Sequence, residues 1–277
     1  MTQTEVREVL VDAFGQRHQR ARGGVRIVSL VPSITELLFD LDLGAQVVGR
    51  TGFCIHPRDG VRAVVKLGGT KDVDIEALLA LAPSHVIVNI DENTRETFER
   101  LRERVPHVVV THPNTPQDNL GLYALLGAIF NREEQATELV TRCNAALANL
   151  HGARGDQPQR RVLYLIWRDP WMTVSPATYI ANMLALIGWQ TLPRVTPERY
   201  PTLSNNALRE LDADLCLLSS EPYPFRAKHI AELHQLLGAD TPVHLIDGEM
   251  LSWYGSRAIA GLRYLDGYAN TVGAKTA

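Results

Sequence analysis

The stretch from Asn131 to Gly152, NREEQATELVTRCNAALANLHG, constrains this chain more than any other. Asn131 is placed to cap a first helical turn, and Glu134 stands where a capping box answers back. Ala136, Leu139, Val140, Cys143, Ala146, Leu147 and Leu150 recur at three- and four-residue spacing, which draws one apolar stripe along a helix. Gly152 reads as its stop. At 1.5 Å per residue such a helix is a rod of roughly 30 Å, long enough to cross one domain and reach another. The simplest organisation is two α/β lobes joined by a helical spine, with a ligand cleft between them. The alternative is a long crossover helix inside one large domain.

Strand and helix alternate on both sides of this stretch. Val9–Gln16 reads as a strand turning at Gly15. Strands are then expected at 26–31, 46–51, 85–90 and 107–111, with helices at 32–39, 74–81, 93–104 and 117–130. Ser33 and Thr35 are capping options for the first of these helices. After a polar linker at 155–160, strands are expected at 161–167, 214–219 and 243–247, and helices at 178–187, 205–211, 227–237 and 256–272. That order predicts mainly parallel sheets covered on both faces. The halves also echo each other. Ala77-Leu78 matches Ala207-Leu208 and Leu81 matches Leu211, with the apolar strands around Ile87 and Leu217 in the same register. This repeat favours two lobes, with boundaries at 1–130, 131–153 and 154–277.

Composition narrows the function. A formal net charge of -3 gives no electrostatic case for nucleic acid or anionic membrane. Three scattered cysteines, Cys54, Cys143 and Cys216, make no disulfide framework and no CxxC site, and the last two fall on apolar faces. No apolar run reaches the length of a membrane span, and the first 24 residues lack the apolar core of a secretory signal. GxSxG, P-loop, HExxH and GxGxxG patterns are absent, so no catalytic residue is assigned and the chain is expected not to be an enzyme.

In parallel sheets, ligands meet the loops after the carboxyl ends of strands. In the first half those loops hold Ser33, Phe53, Cys54, His56, Thr70 and Asn89. In the second they hold Trp167, Arg168, Trp171, Glu221, Tyr223, Phe225, Trp253, Tyr254 and Arg257. The chain is only 6% aromatic, so six rings in these loops suggest a broad wall for a large, partly apolar ligand, although some of them could instead fill lobe interiors. Cys54 and His56, two apart, are the sharpest metal-like pair, but two ligands make no site and no intrinsic metal or cofactor is assigned.

RIVSLVPSITELLFDLDLGAQVVGRT, KLGGTKDVDIEALLALAPSHVIVN and the REEQATELV spine resemble the periplasmic substrate-binding proteins of ABC importers for vitamin B12, haem and iron–siderophores. WRDPWMTVSPATYI, EPYPF and DGEMLSWYGSRA are most similar to the cobalamin-type binders. The resemblance implies two Rossmann-like lobes on a rigid backbone helix and binding of a metal chelate (a corrinoid, a siderophore or haem) without catalysis; a fold so self-contained is expected to be a monomer. It also implies an ABC permease as partner, docked through one acidic residue on each lobe. Glu76 matches the first, but Asn206 stands at the second, with Glu210 one turn on. A periplasmic location is implied, while the missing leader leaves a cytoplasmic carrier, sensor or chelate-processing protein open. Direct binding of a bare metal ion through Cys54 and His56 is the third reading.

Overall fold

The computed structural model describes residues 10–153 and 159–274. Val9, the residues before it and most of the expected 155–160 linker lie outside the described residues. The chain divides into two compact units: one comprises the chain up to Pro113 with Asp118–Thr141, the other Asn114–Gln117 with the chain from Arg142 on.

The first unit opens with a small hairpin, β1 (Leu10–Val11) and β2 (Arg17–His18), paired antiparallel around Gly15 at φ 81°. Asp12 closes it. One carboxylate oxygen accepts from the N–H groups of Phe14 and Gln16, and the other from His18 Nε2 and the Val110 N–H, all at 2.9 Å. Then come β3 (Ile27–Ser29), α1 (Pro32–Asp40), β4 (Val47–Arg50), β5 (Val65–Lys66), α2 (Ile75–Ala80), β6 (His85–Asn89), α3 (Arg95–Arg102), β7 (His107–Thr111) and α4 (Asp118–Phe130). The sheet runs β5-β4-β3-β6-β7, and every pair in it is parallel. All five residues of β6 are buried, because a parallel strand covered on both faces needs a continuous apolar run rather than alternation. Val28, Val86, Val88, Val108 and Val110 pack beneath Leu78 of α2 and Phe98 and Leu101 of α3.

The long helix, α5, runs Glu133–Ala153 and buries the expected stripe, with Val140 half-buried at its margin. Its start differs from the sequence reading. Asn131 does not cap α5; it ends α4 in the left-handed conformation (φ 55°), and the Arg132 N–H reaches back to the Gly127 carbonyl at 2.7 Å. That is a Schellman stop, in which Asn is the best substitute for Gly. Arg132 takes the cap position instead, its carbonyl accepting from Ala136 N–H. Gly152 does not stop the helix but lies within its last turn. Ser33 and Thr35 do not cap α1 either; its cap residue is Val31, with no side-chain bond.

The second unit contains β8 (Arg160–Trp167), β9 (Trp171–Thr173), α6 (Tyr179–Ala185), β10 (Trp189–Thr191), β11 (Thr202–Leu203), α7 (Asn205–Glu210), β12 (Leu215–Ser219), α8 (Ala227–Leu237), β13 (Val243–Ile246), α9 (Gly248–Ser252) and α10 (Arg257–Ala274). Its sheet runs β11-β9-β8-β12-β13. Strands β8, β12 and β13 are parallel, as are β10 and β8, but β9 and β11 are antiparallel additions. β8 is long enough that β10 pairs with its first half and β9 with its second.

The internal repeat is visible in the elements. α2 and α7 are each six residues long, with Asp74 and Ser204 capping through the N–H of Ala77 and Ala207. Leu81 and Leu211 are the C-caps, and β6 and β12 begin at the same offset of 130.

Candidate functional site

In the first unit one side chain, Asn93, ties the loops at the carboxyl ends of three strands. Its Oδ1 accepts from the Asn89 N–H at 2.8 Å, and its Nδ2 donates to the carbonyls of Leu30 and Thr70 at 3.2 and 3.0 Å. Lys71 Nζ adds a bond to the Asp91 carbonyl at 2.7 Å. Asn89, expected to touch ligand, builds the turn instead: its Oδ1 accepts from the N–H groups of Asp91 and Glu92, and its amide faces Thr111 Oγ1. The sequence reading placed Asn93 at a helix start, at the end of the same loop, and gave it no role at the site.

Cys54 is corrected more sharply. The thiol is fully buried, 3.1 Å from Thr51 Oγ1 and 3.9 Å from the Ser29 carbonyl. Burial pushes its pKa up, which opposes the thiolate that a metal needs. His56 is half-buried, and among the described residues no group of three or more side chains is arranged to hold a metal ion. Phe53 is 63% exposed and Thr70 half-buried. Ser33 is buried on α1, and its Oγ finds no partner among the described residues.

In the second unit the expected aromatic wall divides. Trp171 and Phe225 stack nearly parallel at 6.3 Å and join the core of that unit, with Trp171 Nε1 bonded to Asn205 Oδ1. Tyr254 is buried edge-on to Tyr179. These three are packing residues, because each ring finds apolar neighbours within its own unit. Trp167 stays 39% exposed and meets half-buried Tyr223 edge to face at 5.6 Å. Arg168 stands over the Trp171 ring at 5.7 Å. Its guanidinium is held by both oxygens of Glu232 on α8 and by Asp169, and it lines a groove of about 420 Å³ with Asn205 and Arg209.

Glu221, in the loop after β12, plays the organising part here. Its Oε1 accepts from Ser252 Oγ at 2.6 Å and from Trp253 Nε1 at 2.8 Å. Its own backbone is fixed by Ser219, whose Oγ donates to the Glu221 carbonyl at 2.6 Å. Gly248 makes this possible: a Cβ there would stand 2.4 Å from Ser219 Oγ and 2.6 Å from Glu221 Cγ. Burial pushes the Glu221 carboxyl above its ordinary range, and the charges of Glu249 and Asp247 add to that against the Ser252 and Trp253 bonds. Arg257 lies over the buried Trp253 ring at 5.0 Å and pairs with Glu249 at 3.2 Å.

The two positions expected to dock a permease, Glu76 and Asn206, occupy matching first turns. Glu76 on α2 is exposed, yet Arg104 holds it at 2.8 Å and Arg100 stands at 3.8 Å, and the Arg104 bond and charge depress its pKa. Asn206 on α7 is exposed and accepts from Arg209.

Known proteins share this architecture. A vitamin B12-binding protein of Pectobacterium carotovorum (strain PC1) is 21% identical over 199 residues, covering 71% of this chain and 72% of that protein. The structure of the periplasmic vitamin B12 binding protein BtuF of Vibrio cholerae superposes with a TM-score of 0.78 at 17% identity, over 89% of this chain and 96% of that one. The periplasmic heme-binding protein RhuT from Roseiflexus sp. RS-1 gives 0.78 at 22% identity, over 91% and 100%. With residues 27–237 matching the family model, this chain belongs to the periplasmic binding protein family.

Proposed function

We propose that the chain captures a metal chelate, a corrinoid before haem or a ferric siderophore, and hands it to an ABC permease outside the cytoplasmic membrane. One observation carries this reading: at the carboxyl ends of β8 and β12 an exposed indole, Trp167, is braced edge-on by Tyr223, with the fixed carboxylate of Glu221 in the same loop as Tyr223. A rigid ring beside a few oriented polar groups suits a broad macrocycle. The role is capture rather than catalysis.

The test is a titration of the purified protein with cobalamin, cobinamide, haem and a ferric siderophore, following Trp fluorescence and visible absorbance. Saturable quenching by one class is expected. It should weaken about tenfold or more in Trp167→Ala and Tyr223→Ala, the loss of a stacking anchor, while circular dichroism stays unchanged. Silence toward all four ligands overturns the proposal.

A second reading is favoured by the docking positions. Glu76 is already neutralised by Arg104 and Arg100, and Asn206 carries no charge. A cytoplasmic protein of the same fold, carrying or sensing the chelate, would need neither acid. Fractionation of the native host separates the two: a processed N-terminus in the periplasm supports the importer, and an intact Met1 in the cytoplasm supports the carrier.

A further inference from the structure

Glu221 is built as a one-sided carboxylate. Both hydrogen bonds it receives, from Ser252 Oγ and Trp253 Nε1, fall on Oε1. No described residue donates to Oε2. Rotation is blocked as well, since Ser219 fixes the backbone and α9 begins hard against Glu221 Cγ at Gly248. Four other acids of this unit are engaged: Glu232 holds Arg168, Asp214 holds Arg161, Glu249 holds Arg257, and Asp247 caps α9. The spare oxygen is not among the buried atoms without a partner, so on a half-buried residue it stays open to a donor from outside. Burial, with the charges of Glu249 and Asp247, raises its pKa, so the carboxylate form gains from any donor that reaches it.

From this we infer that Glu221 Oε2 selects the ligand by its rim, accepting hydrogen bonds from carboxamide N–H groups and repelling carboxylates. The inference rests on the chelate-binding reading above and narrows it. A corrinoid, whose periphery carries amide side chains, fits; haem, whose rim carries two propionates, meets like charge in a partly desolvated place. The Arg257 guanidinium does not offset this, being engaged by Glu249 and the Trp253 ring.

The geometry makes the test directional. In Glu221→Gln, Ser252 and Trp253 still require an acceptor at the Oε1 position. The amide nitrogen therefore takes the place of Oε2, and an acceptor becomes a donor. The probes are cobalamin and its derivative in which one peripheral carboxamide is hydrolysed to a carboxylate, with haem alongside, titrated into the wild type and the variant. Wild type should bind the amide form about tenfold or more tighter than the carboxylate form, the worth of a charge-assisted bond lost. In Glu221→Gln that preference should vanish or invert, and the thermal midpoint should hold or rise. The wild-type comparison stands by itself should the variant not fold. Equal binding of the amide and carboxylate forms by wild type, tighter binding of haem than of cobalamin, or a variant with unchanged preference overturns the inference while leaving chelate capture intact. Wild type that binds none of the three removes the reading and the inference together.

Discussion

The two units solve the same loop-tying problem with different chemistry. At the carboxyl ends of its strands the first uses Asn93, a neutral amide whose oxygen and nitrogen are both consumed by backbone groups. The second uses Glu221, a carboxylate with one oxygen consumed and one spare. The rings differ as well, since Phe53 stands 63% exposed beside buried Cys54 on the first rim, while Trp167 and Tyr223 pair edge to face on the second. A repeat of one topology thus carries one rim tied by a saturated amide and another tied by a carboxylate with a spare oxygen.

The comparison can be broken most severely at Asn93. Asn93→Ala leaves three backbone groups without partners, and a loss of about 4 kcal/mol is expected from the cost of buried unsatisfied groups. Urea unfolding followed by circular dichroism measures it; a loss below about 1 kcal/mol would mean that water replaces the amide. Gly248→Ala should be milder, about 2 kcal/mol for overpacking, but it should displace Glu221 and so erase ligand selectivity along with stability. A variant that is destabilised yet still discriminates amide from carboxylate would show that the carboxylate is not held where the bonds place it.

The smallest effect is in pH dependence, where the units have opposite signs. Burial pushes Asp12 up, but the bonds from His18, Val110 N–H and Gln16 N–H outweigh it and leave the pKa lowered. Folding therefore favours its charged form, a contribution present above the ordinary Asp range and lost as pH falls through the depressed value. Glu221 is raised. Folding favours its protonated form, so that contribution is full below the ordinary Glu range and declines as pH climbs from there to the raised value. Thermal midpoints across pH 3 to 8, a span that brackets the ordinary carboxylate range, should show Glu221→Gln gaining on wild type as pH rises. Asp12→Asn should lose on wild type over the same climb. Parallel profiles for all three proteins would refute both assignments.

Most of the fold was legible because its long elements carry their own periodicity. The α5 stripe, the buried β6 run and the repeat between α2 and α7 follow from spacing alone. β5, β9, β10, β11 and α9 were not seen; at two to five residues they are too short to show a period and are fixed by tertiary pairing. Asn131 was misassigned because Asn suits both a helix start and a left-handed stop, and only the preceding helix decides. At the candidate site, sequence named the loops but could not tell a wall from a plug. Trp171 and Trp253 look alike in sequence to Trp167, and only packing separates buried rings from the exposed one. Asn93 and Gly248 escaped notice since their value lies in what they touch, which no local pattern encodes.

The three sulfhydryls have a practical consequence. Cys54, Cys143 and Cys216 are all buried, and burial raises Cys54 and Cys216 away from thiolate. One of them, Cys54, sits in the first unit, while Cys143 and Cys216 sit in the second. The native thiols should therefore resist oxidants and alkylating reagents alike. Each thiol becomes a silent timer whose labelling marks when its part of the chain opens, so that mass spectrometry of pulse-labelled protein can read, peptide by peptide, which half yields first.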